Sequence, residues 1–258
     1  MSKSQYVTGL RAVEALLAAK DTEVRRIYAE YQTANPRVEA LIAEANKRGI
    51  EIQPANRARL AQISGESRHQ GIVAEVHRTA ALDEAGLRSM VETRLQDGND
   101  RKLLLLLLDG VQDPHNLGAC MRTADAAGVD AIVVPRHGAA GLGSTVSKVA
   151  AGAAEVLPFA SVGNLARVLG WLKDYGVTVL GTSDKGSQSL YDTDLDRPLA
   201  LVMGREHTGL GKRLEGLCDE LVSLPMRGAV SSLNVSVATG IFLYEINRQR
   251  LASAVPVG

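Results

Sequence analysis

The run of six leucines from Leu103 to Leu108, closed by Asp109 and Gly110, is the tightest constraint on what this chain can fold into. A continuous apolar run bounded by turn residues reads as a strand buried on both faces of a sheet. Periodicity alone leaves a helix open as well. The charged pair Arg101 and Lys102 in front and the Asp–Gly stop behind favour the strand. Such a strand needs cover above and below, and the following segments supply it. The pattern predicts helix 116–127, strand 130–134, helix 163–175, strand 177–182, strand 199–203, helix 210–217, strand 220–224 and helix 235–250. This alternation implies an α/β fold, a parallel sheet with helices on both faces. Ligands of such sheets bind outside the carboxyl ends of the strands.

Residues 1–77 read as a smaller α/β unit. Leu10, Val13, Leu16 and Leu17 take helical spacing, and Val24 to Ala29 reads as a strand. Pro36 to Arg48 is a second amphipathic helix closed by Gly49. A strand over Ile50 to Gln53, a helix over Arg57 to Ile63 and a β-branched strand over Gly71 to His77 complete it. Residues 78–100 combine a helix around Leu82 to Leu95 with the polar stretch Gln96 to Asp100 and read as a linker. A larger domain then spans 101–258, and 258 residues accommodate two domains comfortably.

Aromatic residues are only 3% of the chain, so the core is built from aliphatic side chains. That scarcity argues against nucleic-acid recognition on an aromatic stacking platform. The net charge is zero, and residues 1–77 carry 11 basic and 9 acidic side chains. A nonspecific nucleic-acid coat needs a large basic excess, so any such binding must come from local patches. Cys120 and Cys218 lie far apart without ligand-type spacing and read as two buried thiols of a reducing compartment. The N-terminus lacks the apolar stretch of a signal peptide. Leu103 to Leu108 is far shorter than the roughly 20 residues of a membrane helix. A cytoplasmic protein is expected.

Three clusters follow predicted strands. In the first, Asp109 to Arg122, Asn116 is an N-cap candidate because Pro114 is excluded from a helix interior. Gly118 would let another chain or a ligand approach the first turn, and Arg122 sits on the second turn. The plain alternative is a capped helix with Arg122 paired to Asp125. In the second, Leu201 to Gly211, Gly204 permits close backbone approach at a strand end and Glu206 presents a carboxylate. No lysine follows at P-loop spacing, Ser144 stands where a lysine would be needed in the loop from Gly138, and neither loop gives the dinucleotide fingerprint. Nucleoside triphosphate hydrolysis is not expected. The third, Leu224 to Asn234, places Ser231, Ser232 and Asn234 before an apolar helix. That helix carries Val235, Val237, Ala238, Ile241 and Phe242 nearly all round, which implies burial in the core or against a second subunit. The five histidines show neither zinc spacing nor a Ser/His/Asp order, so no metal is expected.

Taken in order, Asn116, Gly118 and Arg122, then Gly204, Glu206 and Gly209, then Ser232, Leu233 and Asn234 with Leu224, Pro225 and Met226 ahead of them resemble the three motifs of the SpoU (TrmH-type) RNA 2′-O-ribose methyltransferases of the SPOUT superfamily. The likeness spans about Leu103 to Arg250, and residues 1–77 resemble the ribosomal-protein-like RNA-binding domain that precedes it. The resemblance implies a trefoil-knotted catalytic domain, a fold feature that composition cannot show. It also implies S-adenosylmethionine as cofactor, lined by Gly204, Leu224, Met226 and Leu233 largely through backbone groups. It further implies a homodimer through the last helices and an RNA substrate, most like a guanosine of large-subunit (23S) ribosomal RNA. Arg122, Asn116, Glu206, Ser232 and Asn234 become the catalytic set. A guanidinium stays protonated, so the role expected for Arg122 is stabilising the developing alkoxide and gripping a phosphate. Transfer RNA as substrate and a noncatalytic RNA-binding scaffold are the alternatives.

Overall fold

The computed structural model describes residues 4–18, 24–31, 33, 35–65, 67–77, 81–98, 101–184, 186, 188–205 and 209–253. The chain forms two compact units, Met1–Ala80 with Ala151–Val156, and Ala81–Ala150 with Leu157–Gly258.

The first unit holds β1 (Ser4–Thr8), α1 (Leu10–Ala18), β2 (Val24–Glu30), α2 (Pro36–Lys47), β3 (Glu51–Ala55), α3 (Arg57–Ser64) and β4 (Ile72–His77). Its sheet runs β1-β4-β2-β3, with only the β2–β3 pair parallel. Asn35 and Asn56 cap α2 and α3 through their side-chain oxygens. Alternation along the strands sends Val7, Ile27, Ala29, Ile72, Ala74 and Val76 to one face, packed with Val13, Leu16 and Leu17 of α1 and Val38 and Ala45 of α2. Among the described residues the opposite face packs with α3, where Leu60 and Ile63 meet Tyr28, Ala55 and Val73.

The second unit begins with α4 (Glu84–Gln96) and β5 (Leu104–Leu108), followed by α5 (Pro114–Ala126), β6 (Ala131–Pro135) and α6 (Ser144–Ala150). The short α7 (Ala153–Val156) belongs to the first unit. Then come β7 (Phe159–Val162), α8 (Leu165–Asp174), β8 (Thr178–Thr182), β9 (Gln188–Ser189), β10 (Leu199–Met203), α9 (Lys212–Glu215), β11 (Glu220–Ser223) and α10 (Val235–Ser253). The sheet order is β7-β6-β5-β10-β8-β11-β9, and every pair is parallel. The leucine run is a strand, and all five residues of β5 are buried. Leu105 and Leu107 pack with α4 and α8, while Leu104, Leu106 and Leu108 point to the opposite face. Among the described residues no helix is long and apolar enough to cross a membrane.

The expected helix within 78–100 exists, but it is part of a core and not of a free connector. Leu87 and Val91 are fully buried against Leu103 and Leu105. Leu82 also exchanges backbone bonds with Phe159 and Ser161, at 2.8 Å each. The expected helix 210–217 shrinks to four residues, Lys212–Glu215. Strands β1, β7 and β9 and helices α6 and α7 carry no prior expectation.

The amino edge of the sheet is fixed by charge. The buried Asp130 takes the backbone N–H of Leu104 on Oδ2 at 2.8 Å and the Nε of Arg94 on Oδ1 at 3.0 Å, with Arg101 beside them. Removing the carboxylate leaves the buried Leu104 N–H and the largely buried Arg94 Nε without their acceptor, a change that typically costs about 3–5 kcal/mol. Asp130→Ala is expected to lower the unfolding free energy by that amount in urea titration, with Asp130→Asn falling between it and the native chain.

Candidate active site

All three clusters emerge at the carboxyl edge of the larger sheet. β5 and β10 are neighbours, with Leu108 paired to Met203, so their loops leave side by side. The Asp109 N–H donates to the Met203 carbonyl at 2.9 Å. Gly110 adopts φ +79°, and its missing side chain makes room for Arg205, which lies across it. Gly204 is buried at the end of β10, where a Cβ would run into the backbone of Gly209 and Leu210. That loop folds back on itself, Arg205 and Gly209 exchanging backbone bonds of 3.1 and 3.0 Å. Glu206 lies outside the described residues.

The third cluster starts elsewhere. β11 stands three positions from β5 in the sheet, about 14 Å at the usual strand spacing. The loop 224–234 nevertheless ends at α5. The Asn234 Nδ2 donates to Asn116 Oδ1 at 3.1 Å, while Asn234 Oδ1 accepts from the Ser236 N–H at 2.9 Å and the Ser236 hydroxyl at 2.6 Å. Beyond this joint α5 and α10 run side by side in the same direction. Cys120 meets Thr239 at 3.7 Å, Thr123 approaches Gly240, and Asn247 donates to the Ala127 carbonyl at 3.0 Å. Two helix N-termini therefore open at one place, and their dipoles favour negative charge there.

The first cluster departs from expectation in its cap. α5 begins at Pro114, which occupies the first helical position, where its missing N–H is no loss. The cap is Asp113, whose Oδ1 accepts from the His115 N–H at 2.9 Å. That backbone bond holds the Asp113 carboxyl below the usual range. Asn116 thus lies in the first turn, half-buried and directed to Asn234. Gly118 serves packing within the chain, since a Cβ there would stand 2.7 Å from Val149 and 3.0 Å from the Val146 carbonyl of α6. Arg122 is exposed, and the pairing with Asp125 is not formed. Asp125 instead has its pKa raised by burial alone. Cys120 is buried, while Cys218 is only partly so, its thiol pushed up to about 11 chiefly by burial.

The structure therefore joins Asn116 and Asn234 directly and leaves Arg122 exposed nearly two turns further along α5. Ser232 is exposed and Leu233 half-buried just ahead of α10, and Leu224 and Met226 are half-buried in the loop after β11. Arg205 carried no prior expectation. Its signal was a position beside Gly204, and its contact with Gly110 needs the β5–β10 pairing to be seen.

Residues 103–244 match the SpoU rRNA Methylase family, and residues 6–80 match the RNA 2′-O ribose methyltransferase substrate binding family. A 23S rRNA (guanosine-2′-O-)-methyltransferase RlmB of Ralstonia nicotianae is 45% identical over 99% of this chain and 99% of its own length. That of Pasteurella multocida is 46% identical over 96% and 100%. The crystal structure of the SpoU methyltransferase AviRb from Streptomyces viridochromogenes, in complex with the cofactor AdoMet, superposes with a TM-score of 0.76 at 25% identity, covering 96% of this chain and 91% of that one. A TrmH/SpoU tRNA modifying enzyme of A. aeolicus gives 0.54 at 31% identity and covers 63% of this chain and 85% of its own. The chain belongs to the SpoU rRNA methylase family.

Proposed function

We propose that this chain methylates the ribose 2′-hydroxyl of a guanosine in 23S ribosomal RNA, using S-adenosylmethionine. The observation that carries the reading is the Asn116–Asn234 bond, which ties two of the three motif clusters together where the helices α5 and α10 begin. Relatives that span the whole chain are named for 23S rRNA, whereas the tRNA modifying enzyme covers 63% of it.

S-adenosylmethionine, when bound, supplies an electrophilic sulfonium methyl. The residues fit it. Gly204 leaves no room for a side chain, so the turn after β10 offers backbone groups, and Leu224, Met226 and Leu233 add half-buried apolar surface suited to an adenine ring. Arg122 makes no ion pair among the described residues, so its charge is available to the 2′-oxygen as its proton passes to solvent water, and to the adjoining phosphate. Asn116, Ser232 and Asn234 hold the ribose in line for attack. Glu206 fixes the 204–209 loop or the arginine. Residues 1–77 bind the RNA. The larger domain is threaded as a trefoil knot, a reading that rests on its membership of the SpoU family. The enzyme works in the cytoplasm.

The same reading makes the protein a homodimer through α10. One side of that helix buries Val235, Thr239, Phe242, Leu243 and Ile246, while Val237, Tyr244 and Leu251 stand 52%, 56% and 70% exposed along the other. That stripe of exposed apolar side chains at seven-residue spacing supports an interface there.

Arg122→Ala is expected to lower kcat at least about 100-fold, the size of one lost oxyanion-type donor, while calorimetry finds S-adenosylmethionine binding intact. Undiminished turnover would remove Arg122 from the mechanism. With labelled S-adenosylmethionine and separated RNA fractions, label should appear in 23S rRNA. Label in transfer RNA alone would move the substrate, and none in either would leave only a scaffold. The double variant Tyr244→Glu, Leu251→Glu is expected to sediment as a monomer, and an unchanged mass would place any dimer contact elsewhere.

A further inference from the structure

The face of the first unit's sheet that α3 covers only in part gathers aromatic and basic side chains. Cross-strand register sets Tyr6, Glu75, Arg26 and Glu51 in one row across β1, β4, β2 and β3, with Tyr28 and Gln53 in a parallel row. Tyr28 is 8% exposed and supports Tyr6 edge to face, the ring centroids 6.3 Å apart at 62°. Tyr6 itself is 38% exposed.

The charges around it are unequal in what they leave over. The carboxylate of Glu75 is taken up by Arg25 at 3.2 Å and by the Tyr28 hydroxyl at 3.1 Å. Arg26 is held over the Tyr28 ring, its Cζ 5.9 Å from the centroid, and pairs with Glu51 at 2.8 Å. Arg59 of α3 donates to Gln62 at 2.9 Å and makes no ion pair among the described residues. Glu75 stands opposite Tyr6 across the β1–β4 pair and carries Arg25 to that side, and α3, which bears Arg59, packs against β1. Burial, then Glu75 and Tyr28, raise the Tyr6 phenol above its ordinary value, and Arg59 and Arg25 act on it in the opposite sense. Two of the chain's six tyrosines and three arginines thus meet at one corner of one unit.

We infer that this corner docks a single-stranded stretch of the RNA substrate, with one unstacked base lying on the Tyr6 ring and the adjoining phosphate on Arg59. An exposed aromatic face ringed by guanidinium groups is the arrangement that unpaired bases and their phosphates recognise. The inference rests on the reading of residues 1–77 as the RNA-binding unit. It differs from that reading in naming the surface and the form of RNA it takes.

The test measures binding of the full-length protein to deproteinised 23S ribosomal RNA, over a range of salt, for the native chain and for Tyr6→Ala, Tyr6→Phe and Arg59→Gln. Tyr6→Ala should weaken binding about 5- to 150-fold, the range of one lost base–aromatic stack, with an unchanged salt slope. Tyr6→Phe should bind within about twofold of the native chain, since the π-face is kept. Arg59→Gln should weaken binding and lower the salt slope by about 0.7 to 1, the signature of one phosphate contact. S-adenosylmethionine affinity and melting temperature, followed in each variant, identify loss of fold. Native affinity in both Tyr6→Ala and Arg59→Gln would overturn the platform while leaving the RNA-binding reading standing. Equal weakening by Tyr6→Phe and Tyr6→Ala would also overturn it, because stacking would not be the cause. Failure of the native chain itself to bind the RNA would remove both.

Discussion

The C-terminal helix α10 is fastened at both ends to the same part of the sheet, and the candidate site depends on that fastening. At its start Asn234 is bonded to Asn116 at the carboxyl edge. Near its end the Arg250 guanidinium reaches the carbonyls of Lys102 at 2.9 Å, Leu103 at 3.1 Å and Arg197 at 2.8 Å, at the amino edges of β5 and β10. Burial lowers the pKa of this arginine. A 19-residue helix is about 28 Å long, enough to span the sheet from edge to edge. Fixing both ends sets the register of α10 against α5, and that register brings the third cluster to the first.

The same logic explains the order of the strands. The interior strand β5 is apolar throughout because both faces are covered, so polar anchoring falls to its two ends. Asp130, Arg94 and Arg101 hold the amino edge, and the motif loops occupy the carboxyl edge. Polar anchoring and the candidate site thereby lie at opposite ends of one sheet, as the general behaviour of open α/β sheets leads one to expect.

Much of the larger unit could be read from the sequence because its signals are strong and local. Leu103 to Leu108 announced a doubly covered strand, and the three clusters fell at strand ends. What escaped were features set by distant partners. Ser4–Thr8 pairs along β4, more than sixty residues on, and Phe159–Val162 along β6, neither having a distinctive pattern of its own. The helix Glu84–Gln96 presents few core residues, so it looked like a connector until Leu87 and Val91 were seen inside. Asp113 displaced Asn116 as the cap because Pro114 opens the helix at its first position, whereas the sequence reading places that proline outside the helix. The scarcity of aromatic residues described the average chain and missed their local concentration around Tyr6.

The condition of the two sulfur atoms has a practical side. Cys120 is enclosed, and a thiol titrating near 11 exists as thiolate in only about one molecule in ten thousand at neutral pH. Maleimide and iodoacetamide reagents, which need the anion, should therefore find the native protein almost silent. A fluorophore or spin label could be attached at a single engineered surface cysteine without first removing either natural one.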